Sequence, residues 1–309
     1  MSKENLNITN NKYNYINSVV VVLQVCMWFV LITLLHGDFY IWLKLPILVL
    51  FCFMMQGVFS MMHECFHKHG FKNDKVNWFM GWLTSTLFGC VFTLPNVYHD
   101  GHHQRNRSRP ELGEYIFPDE SAVKKTFIYY FAILGGLWLS TFVASLLLPF
   151  FPLEISRFLT QFKKNNTYLH TFDEFKIREW NLMRLELVMS ILFWSVVIYL
   201  ANWDWMVLVV CYAIFAFSWS SLQWIYHVRT PLHPIEGAYN LRLPRWIRLL
   251  FLNFNYNLTH HRDPGVPWYD LYKVSDQKET QPLWYRYFQI FLPPKPLPKE
   301  NTIIEKTYF

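Results

Sequence analysis

Hydrophobic positions along this chain form long uninterrupted runs, and polar positions are concentrated between them. Four runs predict transmembrane helices, at about residues 19–35, 41–62, 185–200 and 205–226. About 20 apolar residues are needed to cross a bilayer, so the third run is short for a span. Only His36-Gly37-Asp38 separates the first two runs, and only Asn202-Trp203-Asp204 separates the last two. The pattern therefore predicts two helical hairpins.

Two further apolar stretches, 78–94 and 127–151, do not fit a simple crossing. If the first crossed the membrane, His99 would be separated from His63, which belongs to a similar polar cluster. The second is flanked by basic segments at both ends and contains Gly135-Gly136 at about a third of its length, where a bend can form. Both stretches are therefore predicted to be interfacial or re-entrant helices.

The distribution of basic residues gives the expected orientation. Neither hairpin connector contains Lys or Arg, and the basic residues lie before the first span and between the second and third spans: Lys3, Lys12, Arg105, Arg107, Arg109, Lys124, Lys125, Arg157, Lys163, Lys164, Lys176, Arg178 and Arg184. Loops rich in Lys and Arg remain on the cytoplasmic side. We therefore expect an all-α integral membrane protein with four transmembrane helices, interfacial or re-entrant helices and a cytoplasmic cap, located in a bacterial inner membrane or the endoplasmic reticulum.

Composition supports this fold class. The chain has 309 residues, of which 53% are hydrophobic and 16% charged, whereas soluble domains carry about 25% charged residues. Basic loops facing anionic lipid explain the net charge of +6, so no nucleic-acid partner is expected. The five cysteines form no CxxC pair, which argues against a disulfide framework and a thiolate zinc site. We expect one domain over 1–309, with a polar tail at 1–17, without a signal-peptide pattern, and a Pro-rich tail at 276–309.

Eight histidines form four clusters just beyond apolar runs, with spacings typical of one helix face. They are His63 and His67; His99, His102 and His103; His227; and His260 and His261. Gln223 lies four residues before His227, and Asn257 lies three before His260. The expected topology places all four clusters on the cytoplasmic side. Eight imidazoles exceed what one ion can bind, so two metals are predicted, and imidazole suits iron, copper, zinc or nickel.

Other polar residues near the clusters are assigned supporting roles. Glu64, Asp100 and Asp263 are candidates for orienting a ligand ring through its second nitrogen, although Glu64 and Asp100 could equally be capping or solvated groups. The remaining histidines are interpreted as structural: His36, His69, His170 and His233.

Three segments resemble the histidine boxes of the membrane fatty acid desaturase superfamily. They are HECFH at 63–67, HDGHH at 99–103 and NLTHHRDPGVPWYDL at 257–271. The resemblance covers about residues 40–275 and implies a non-haem diiron enzyme, with O₂ as co-substrate and two electrons, that attacks an unactivated C–H bond of an acyl chain. It also implies that the eight clustered histidines bind the metals. In related enzymes a histidine after the last span is a ligand and an amide four residues earlier lies near the metal, which His227 and Gln223 match.

The third box departs from the family pattern, because Asn257 stands where His or Gln is usual. An amide is a weaker donor than imidazole, so Asn257 could bind directly, bind through water or only donate and accept hydrogen bonds. Gln223 and Asn257 are therefore both candidates for water-mediated ligation. A changed ligand could also change the reaction outcome.

The chain contains no recognisable haem or iron–sulfur module, so a separate electron donor of the ferredoxin or cytochrome b5 type is expected. Arg105, Arg107 and Arg109 are candidates for receiving this donor, lipid phosphate or an acyl carrier, or they form a solvated loop. The substrate could be an acyl-lipid, an acyl-CoA or an acyl-carrier.

Two alternatives to a desaturase remain. The same diiron site could perform hydroxylation, ketolation or acetylene formation on a lipid or a carotenoid, because desaturation and hydroxylation share the first hydrogen abstraction. A membrane metal carrier or sensor is the alternative of another class, but carriers need polar groups at membrane depth, of which these runs contain almost none.

Overall fold

A computed structural model describes residues 3–160 and 175–298, most of which are helical. The helices are α1 (Lys3–His36), α2 (Ile41–Phe66), α3 (Asp74–Phe88), α4 (Thr93–Arg105), α5 (Ala122–Phe131), α6 (Leu137–Leu147), α7 (Leu153–Thr160), α8 (Ile177–Ala201), α9 (Trp205–Ile225), α10 (Arg245–Leu250), α11 (Asn257–Arg262), α12 (Trp268–Val274) and α13 (Leu283–Gln289). Four two-residue strands are β1 (Tyr115–Ile116), β2 (Leu241–Arg242), β3 (Gln281–Pro282) and β4 (Lys295–Pro296).

Within residues 3–160 and 175–298, five segments are long and apolar enough to cross a membrane. Four of them, Lys12–His36 within α1, α2, α8 and α9, correspond to the four predicted spans, and the fifth is Ala122–Phe150. The tips of the two predicted hairpins meet: His36 stacks on Trp203, and its Nε2 lies 3.0 Å from the carbonyl oxygen of Asp204. The prediction of a helical membrane protein is confirmed.

The bundle core is built around aromatic side chains from different helices. The indole of Trp28 on α1 donates to the hydroxyl of Tyr212 on α9, and Phe51 on α2 packs edge-on against the Tyr212 ring. Both polar groups are thereby satisfied within a low-dielectric interior. These contacts hold α1, α2 and α9 side by side.

Helices α3 and α4 form a hairpin that enters the bundle and returns. With 15 residues, α3 is about 22 Å long, which is too short to cross a bilayer. It ends at Gly89, whose φ of 97° favours glycine. The carbonyl of Leu87 accepts from Tyr212 deep in the bundle, and α4 then leads back to the histidines. The length of α3 is consistent with the prediction that 78–94 is interfacial or re-entrant rather than a span.

The fifth apolar segment consists of α5 and α6, joined by a kink at Gly135, where φ is +120°. Its first part packs at the histidine end of α9, where Tyr129 contacts Trp224. Beyond its end, the carbonyl of Pro149 accepts from Arg184 near the start of α8. Both α8 and α9 have their opposite ends at the Asn202 connector, so the two ends of the kinked segment lie at the same end of the bundle.

The polar segment before the first span is not a free tail in the part described. It is helical from Lys3 onwards, and Tyr13 donates to the carboxylate of Asp270 on α12. Asn17 also donates to the carbonyl of Gly70 and accepts from the indole of Trp268. The N-terminal helix is thus fastened to the segments that carry the histidine clusters.

The C-terminal region also differs from the expected tail. Residues 276–298 include β3, α13 and β4, while 299–309 lie outside the described residues. Strand β3 pairs in parallel with β2, and β4 pairs in parallel with β1. These pairings bind the C-terminal region to the loops that follow α4 and α9.

Candidate metal centre

Four chain segments bring the clustered histidines to one end of the bundle. His63 occupies the last turn of α2 and His67 follows it. His99, His102 and His103 lie on α4, and His227 lies just beyond α9. His260 and His261 lie on α11, a single short helix. The eight histidines fall into two groups with ring nitrogens close enough to bind a metal ion.

The larger group contains five histidines: His63, His67, His99, His103 and His260. The Nε2 atom of His99 lies 2.8 Å from that of His67 and 2.9 Å from that of His103. The Nε2 atoms of His103 and His260 are 3.0 Å apart. When two imidazole nitrogens bind one metal ion at about 2.1 Å, with an N–metal–N angle of about 90°, the two nitrogens lie about 3.0 Å apart. This convergence fits a shared metal ion better than hydrogen bonds between neutral rings.

The smaller group contains His102, His227 and His261. Their ring centroids are separated by 4.8, 5.0 and 5.2 Å. The two groups adjoin, because His103 of the first lies 4.6 Å from His261 of the second between ring centroids. The geometry therefore fits two neighbouring metal ions, one with five histidine neighbours and one with three.

Burial favours the neutral form of five of these imidazoles, those of His67, His99, His103, His260 and His261. Loss of solvent, reinforced by the neighbouring rings, holds the pKa of His99, His260 and His261 well below the usual 6.5. The same desolvation lowers the pKa of His67 to about 4 and that of His103 to about 2. Neutral imidazole is the form that binds metal, so the site is prepared for ligation near neutral pH.

Two rings of the smaller group are oriented through their second nitrogen. The Nδ1 of His102 lies 2.8 Å from Oε2 of Glu111, and the Nδ1 of His227 lies 2.9 Å from the carbonyl oxygen of Gly237. With Nδ1 donating in both rings, Nε2 is left free for a metal. Asn106, at the end of α4, donates to the same carbonyl of Gly237. The two ligand segments of this group are therefore held to each other.

Two of the three acidic residues that were candidates for orienting ligand rings have backbone N–H groups as partners. A carboxylate oxygen of Glu64 accepts from the backbone N–H of Trp268, so Glu64 joins α2 to the segment after the third box. Asp263 is exposed and accepts from the N–H of Gly265 in a turn. Asp100 is exposed on α4. The carboxylate of Glu111, which was not among the predicted residues, lies 2.8 Å from the ring of the clustered histidine His102.

Buried polar atoms without hydrogen-bond partners among the described residues test whether a metal fits. They include Nε2 of His63, Oδ1 of Asn257 and Nε2 of Gln223. Such atoms are costly unless a ligand or water satisfies them. His63 has a ring centroid 4.6 Å from that of His260, and Asn257 lies on the short helix of His260 and His261. The donor set therefore fits metal ions at both groups.

The histidines expected to be structural are accounted for as far as they are described. His36 lies at the opposite end of the bundle, and His233 accepts two backbone N–H groups in a turn. His69 stacks on His67 but belongs to neither group. His170 lies outside the described residues.

The arginines after the second box are not an open basic surface. The exposed fractions of Arg105 and Arg107 are 6% and 3%, and Arg107 forms a 2.7 Å ion pair with Glu114. Arg109 pairs with Asp119 and lies over the ring of Phe117. These contacts stabilise the loop that carries Glu111, so the idea of a docking surface formed by these three side chains is not supported.

The comparison with protein families agrees with the geometry. The family model of the fatty acid desaturases matches residues 40–291, which contain all eight clustered histidines. This chain belongs to the fatty acid desaturase family. A search of curated proteins finds no match. As a family member with five apolar helices, the protein is an integral membrane protein, and its clustered histidines fit a desaturase-type diiron enzyme.

The pairing of Glu111 with His102 could not be read from the spacing of residues in the sequence. Glu111 follows His102 by nine residues, across a turn in which Arg107 has a φ of 64°. Helical spacing does not extend through such a turn, so periodicity could not associate the two side chains. The only available signal was the presence of an acidic residue in the loop after the second box.

Proposed function

We propose that this protein is an acyl-chain desaturase with a diiron centre at the cytoplasmic face of the membrane. The observation that carries the proposal is the convergence of eight histidines in two adjacent groups at the ends of apolar helices, within a chain of this family. A histidine-ligated iron pair, when bound, supplies the chemistry that reduces O₂ with two electrons and removes hydrogen from an unactivated carbon. The protein's side chains bind and orient this pair and exclude water from it.

The proposed ligands are the five histidines of the larger group and the three of the smaller group. Glu111 and the Gly237 carbonyl hold the rings of His102 and His227 in the orientation that presents Nε2. Aromatic side chains separate the site from the bundle interior: Phe254 contacts His63 edge-on, and Phe59 contacts Phe254. An apolar wall of this kind suits a hydrocarbon chain next to the metals.

We propose four spans, α1, α2, α8 and α9, with the histidines on the cytoplasmic side. The contacts that support this are those at both ends of the α5–α6 segment, which lie at the histidine end of α9 and α8. A segment with both ends on one side is re-entrant rather than spanning. Electrons would come from a separate ferredoxin or cytochrome b5 type donor, and the acyl chain from a lipid, CoA or carrier.

The proposal predicts a new double bond in cells that express the protein with a compatible reductase. Deuterium should be lost from two adjacent carbons of a labelled acyl chain, in an O₂-dependent reaction that His261→Ala abolishes. His36→Gln is the matched control, because His36 lies at the far end of the bundle and should leave the product unchanged. Absence of any lipid change, despite bound iron and a working reductant, would contradict acyl chemistry.

Hydroxylation is the second candidate, and Asn257 is the observation that raises it. The family has His or Gln at this place in the third box, and Asn is a weaker donor than imidazole and shorter than Gln, so the electronic environment of the metals would differ. A hydroxylated product that retains the second deuterium would identify this reaction.

The role of Asn257 can be measured through metal content. If its unpartnered oxygen only holds a water, Asn257→Ala should retain close to two irons per chain and lose activity, while Asn257→His should be tolerated. Iron loss as complete as in His261→Ala would instead show direct ligation by the amide.

A further inference from the structure

Two short helices that follow α9, namely α10 and α13, carry large apolar side chains that no part of the described protein covers. They are Trp246 and Leu249 on α10, and Trp284, Tyr285 and Phe288 on α13. Trp284 and Phe288 are 69% and 68% exposed. The parallel pairing of β2 with β3 sets the beginnings of the two helices beside each other. The five side chains therefore form one exposed apolar surface on two adjacent helices. We call this surface the aromatic collar.

The contacts of α10 with α2 show how far α10 lies from the histidines along the bundle axis. A Cβ at Gly57 would lie 2.3 Å from the carbonyl oxygen of Leu250, so the end of α10 lies directly against the α2 backbone there. Phe251, the next residue, packs edge-on against Phe53. Gly57 and Phe53 precede His63 by six and ten residues, or about 9 and 15 Å along the helix. The end of α10 thus lies beside the apolar part of α2, away from the histidines.

The contacts of α13 with α9 independently place it at a similar distance from the histidines. The hydroxyl of Tyr287 lies 3.1 Å from that of Ser221 on α9. Ser221 precedes His227 by six residues, or about 9 Å. The residues just after α13 also contact the kinked segment, because Tyr129 on α5 donates to the carbonyl of Ile290. Both collar helices therefore lie alongside segments that are apolar enough to cross a membrane.

The inner faces of the collar are already packed. Ile247 and Leu250 of α10 and Leu283 and Tyr287 of α13 join one buried cluster with residues of α5 and α9. The exposed aromatic residues consequently point away from the protein, at a depth where the surrounding medium is a bilayer if α2 and α9 span it. Trp and Tyr concentrate at the boundary between headgroups and acyl chains. Arg242 and Arg245, both exposed, adjoin this surface with charge that suits lipid phosphate.

We propose that α10 and α13 lie within the membrane leaflet on the histidine side, where the aromatic collar contacts lipid acyl chains. The part of the protein that follows α9 is then not entirely in water. Two of its short helices, α10 before the third box and α13 after it, are interfacial. The proposal deepens the membrane arrangement given above and rests on α2 and α9 as spans, but it does not depend on bound iron or on turnover.

A photo-reactive phenylalanine analogue tests this placement when it is introduced separately at Trp246, Trp284 and Phe288. The protein is reconstituted in vesicles of phosphatidylethanolamine and phosphatidylglycerol, irradiated and analysed by mass spectrometry. Val274 is the matched control, since it is apolar and 54% exposed but borders a groove with Asp276 and Glu279. We expect at least tenfold more lipid adduct at the three collar positions than at position 274.

Equal lipid adduct at all four positions, or cross-links from the collar to a second protein chain, would overturn the proposal. A second measurement does not use the photo-reactive residue, so it tests the proposal even if those variants fail to fold. Brominated acyl chains should quench less tryptophan fluorescence in Trp246→Phe/Trp284→Phe than in the parent protein, and unchanged quenching would contradict lipid contact. Because neither measurement requires activity, lipid contact without desaturation would count against the proposed reaction alone.

Discussion

At the scale of single residues, two rings of the smaller histidine group are oriented through their second ring nitrogen. In the smaller group, a carboxylate binds His102 and a backbone carbonyl binds His227. A carboxylate partner makes imidazole a more basic ligand and adds negative charge near the ion. Three neutral histidines supply little charge, so Glu111 contributes more to this group than it would to the group with five.

Glu111→Gln should weaken metal binding at the smaller group by about tenfold, because an amide keeps the size of the side chain but removes the charge. Titration of metal-free protein with Co²⁺ should show one weakened site and one unchanged site. Glu120→Gln is the control, since Glu120 lies in the same loop region and binds Lys125 rather than a histidine. Two unchanged sites would remove Glu111 from the centre.

Residue identity predicted which histidines converge, but it did not predict what surrounds them. The histidines of α4 share one face because of helical periodicity, which is a local property. The pairing of His102 with Glu111 and of Arg107 with Glu114 depends on the path of a loop that has no periodicity. Charged side chains such as Arg105 were expected at the surface, and packing of its guanidinium against Gly101 could not be read from the order of residues.

At the scale of elements, one close approach connects the second span to the third histidine box. Gly57 allows the carbonyl of Leu250 to lie against α2, and the chain then turns through Leu252 and Asn253, both with positive φ, towards α11. Asn253 also donates to the carbonyl of Trp268. The position of His260 and His261 therefore depends on contact at a glycine two turns from His63.

Gly57→Ala should destabilise the protein by about 1–3 kcal/mol, because the added methyl group has no space. It should also lower metal content, since the displaced loop leads to α11. Thermal unfolding in detergent and iron per chain would measure both effects. Ser60→Ala, a buried change on the same helix that removes only a hydroxyl bonded to Gln56, should alter neither. A Gly57→Ala protein with parental stability would mean that the loop is not held at this point.

Hydrophobic runs predicted the long helices because length and apolarity are sufficient to define a membrane helix. The two-helix character of 127–151 was suggested by Gly135-Gly136, and the kink lies at Gly135. The cap was harder to predict, since α10 and α13 have six and seven residues. Such short helices are defined by what they pack against, and the Pro-rich composition of 276–309 concealed the apolar face of α13.

At the scale of the whole molecule, the histidine end and the hairpin-tip end differ in construction. His36 and Trp203 connect the two tips. At the other end, α4, α11, α12 and the polar start of α1 converge on the metal groups. The hairpin of α3 and α4 returns to this end, and the contacts of Tyr129 and Pro149 lie here as well. One end of the molecule thus contains all the proposed chemistry.

This arrangement predicts the sidedness of single cysteines introduced into the chain. Val123→Cys and Glu154→Cys flank the kinked segment at exposed positions and should both react with an impermeant maleimide only from the cytoplasmic side. Asp38→Cys, in the first hairpin connector, should react only from the opposite side. The parent protein is the control for its five cysteines, of which four are buried and Cys26 lies within the apolar part of α1.

A four-span and a five-span topology predict different labelling at one position, 154. A re-entrant segment returns Glu154 to the side of Val123, because Tyr129 and Pro149 contact the histidine ends of α9 and α8. A spanning segment would place position 154 with position 38. Reaction of Glu154→Cys from the outer side, with Val123→Cys still reacting from the inner side, would therefore replace the four-span arrangement with five spans and move the start of α8 away from the metal groups.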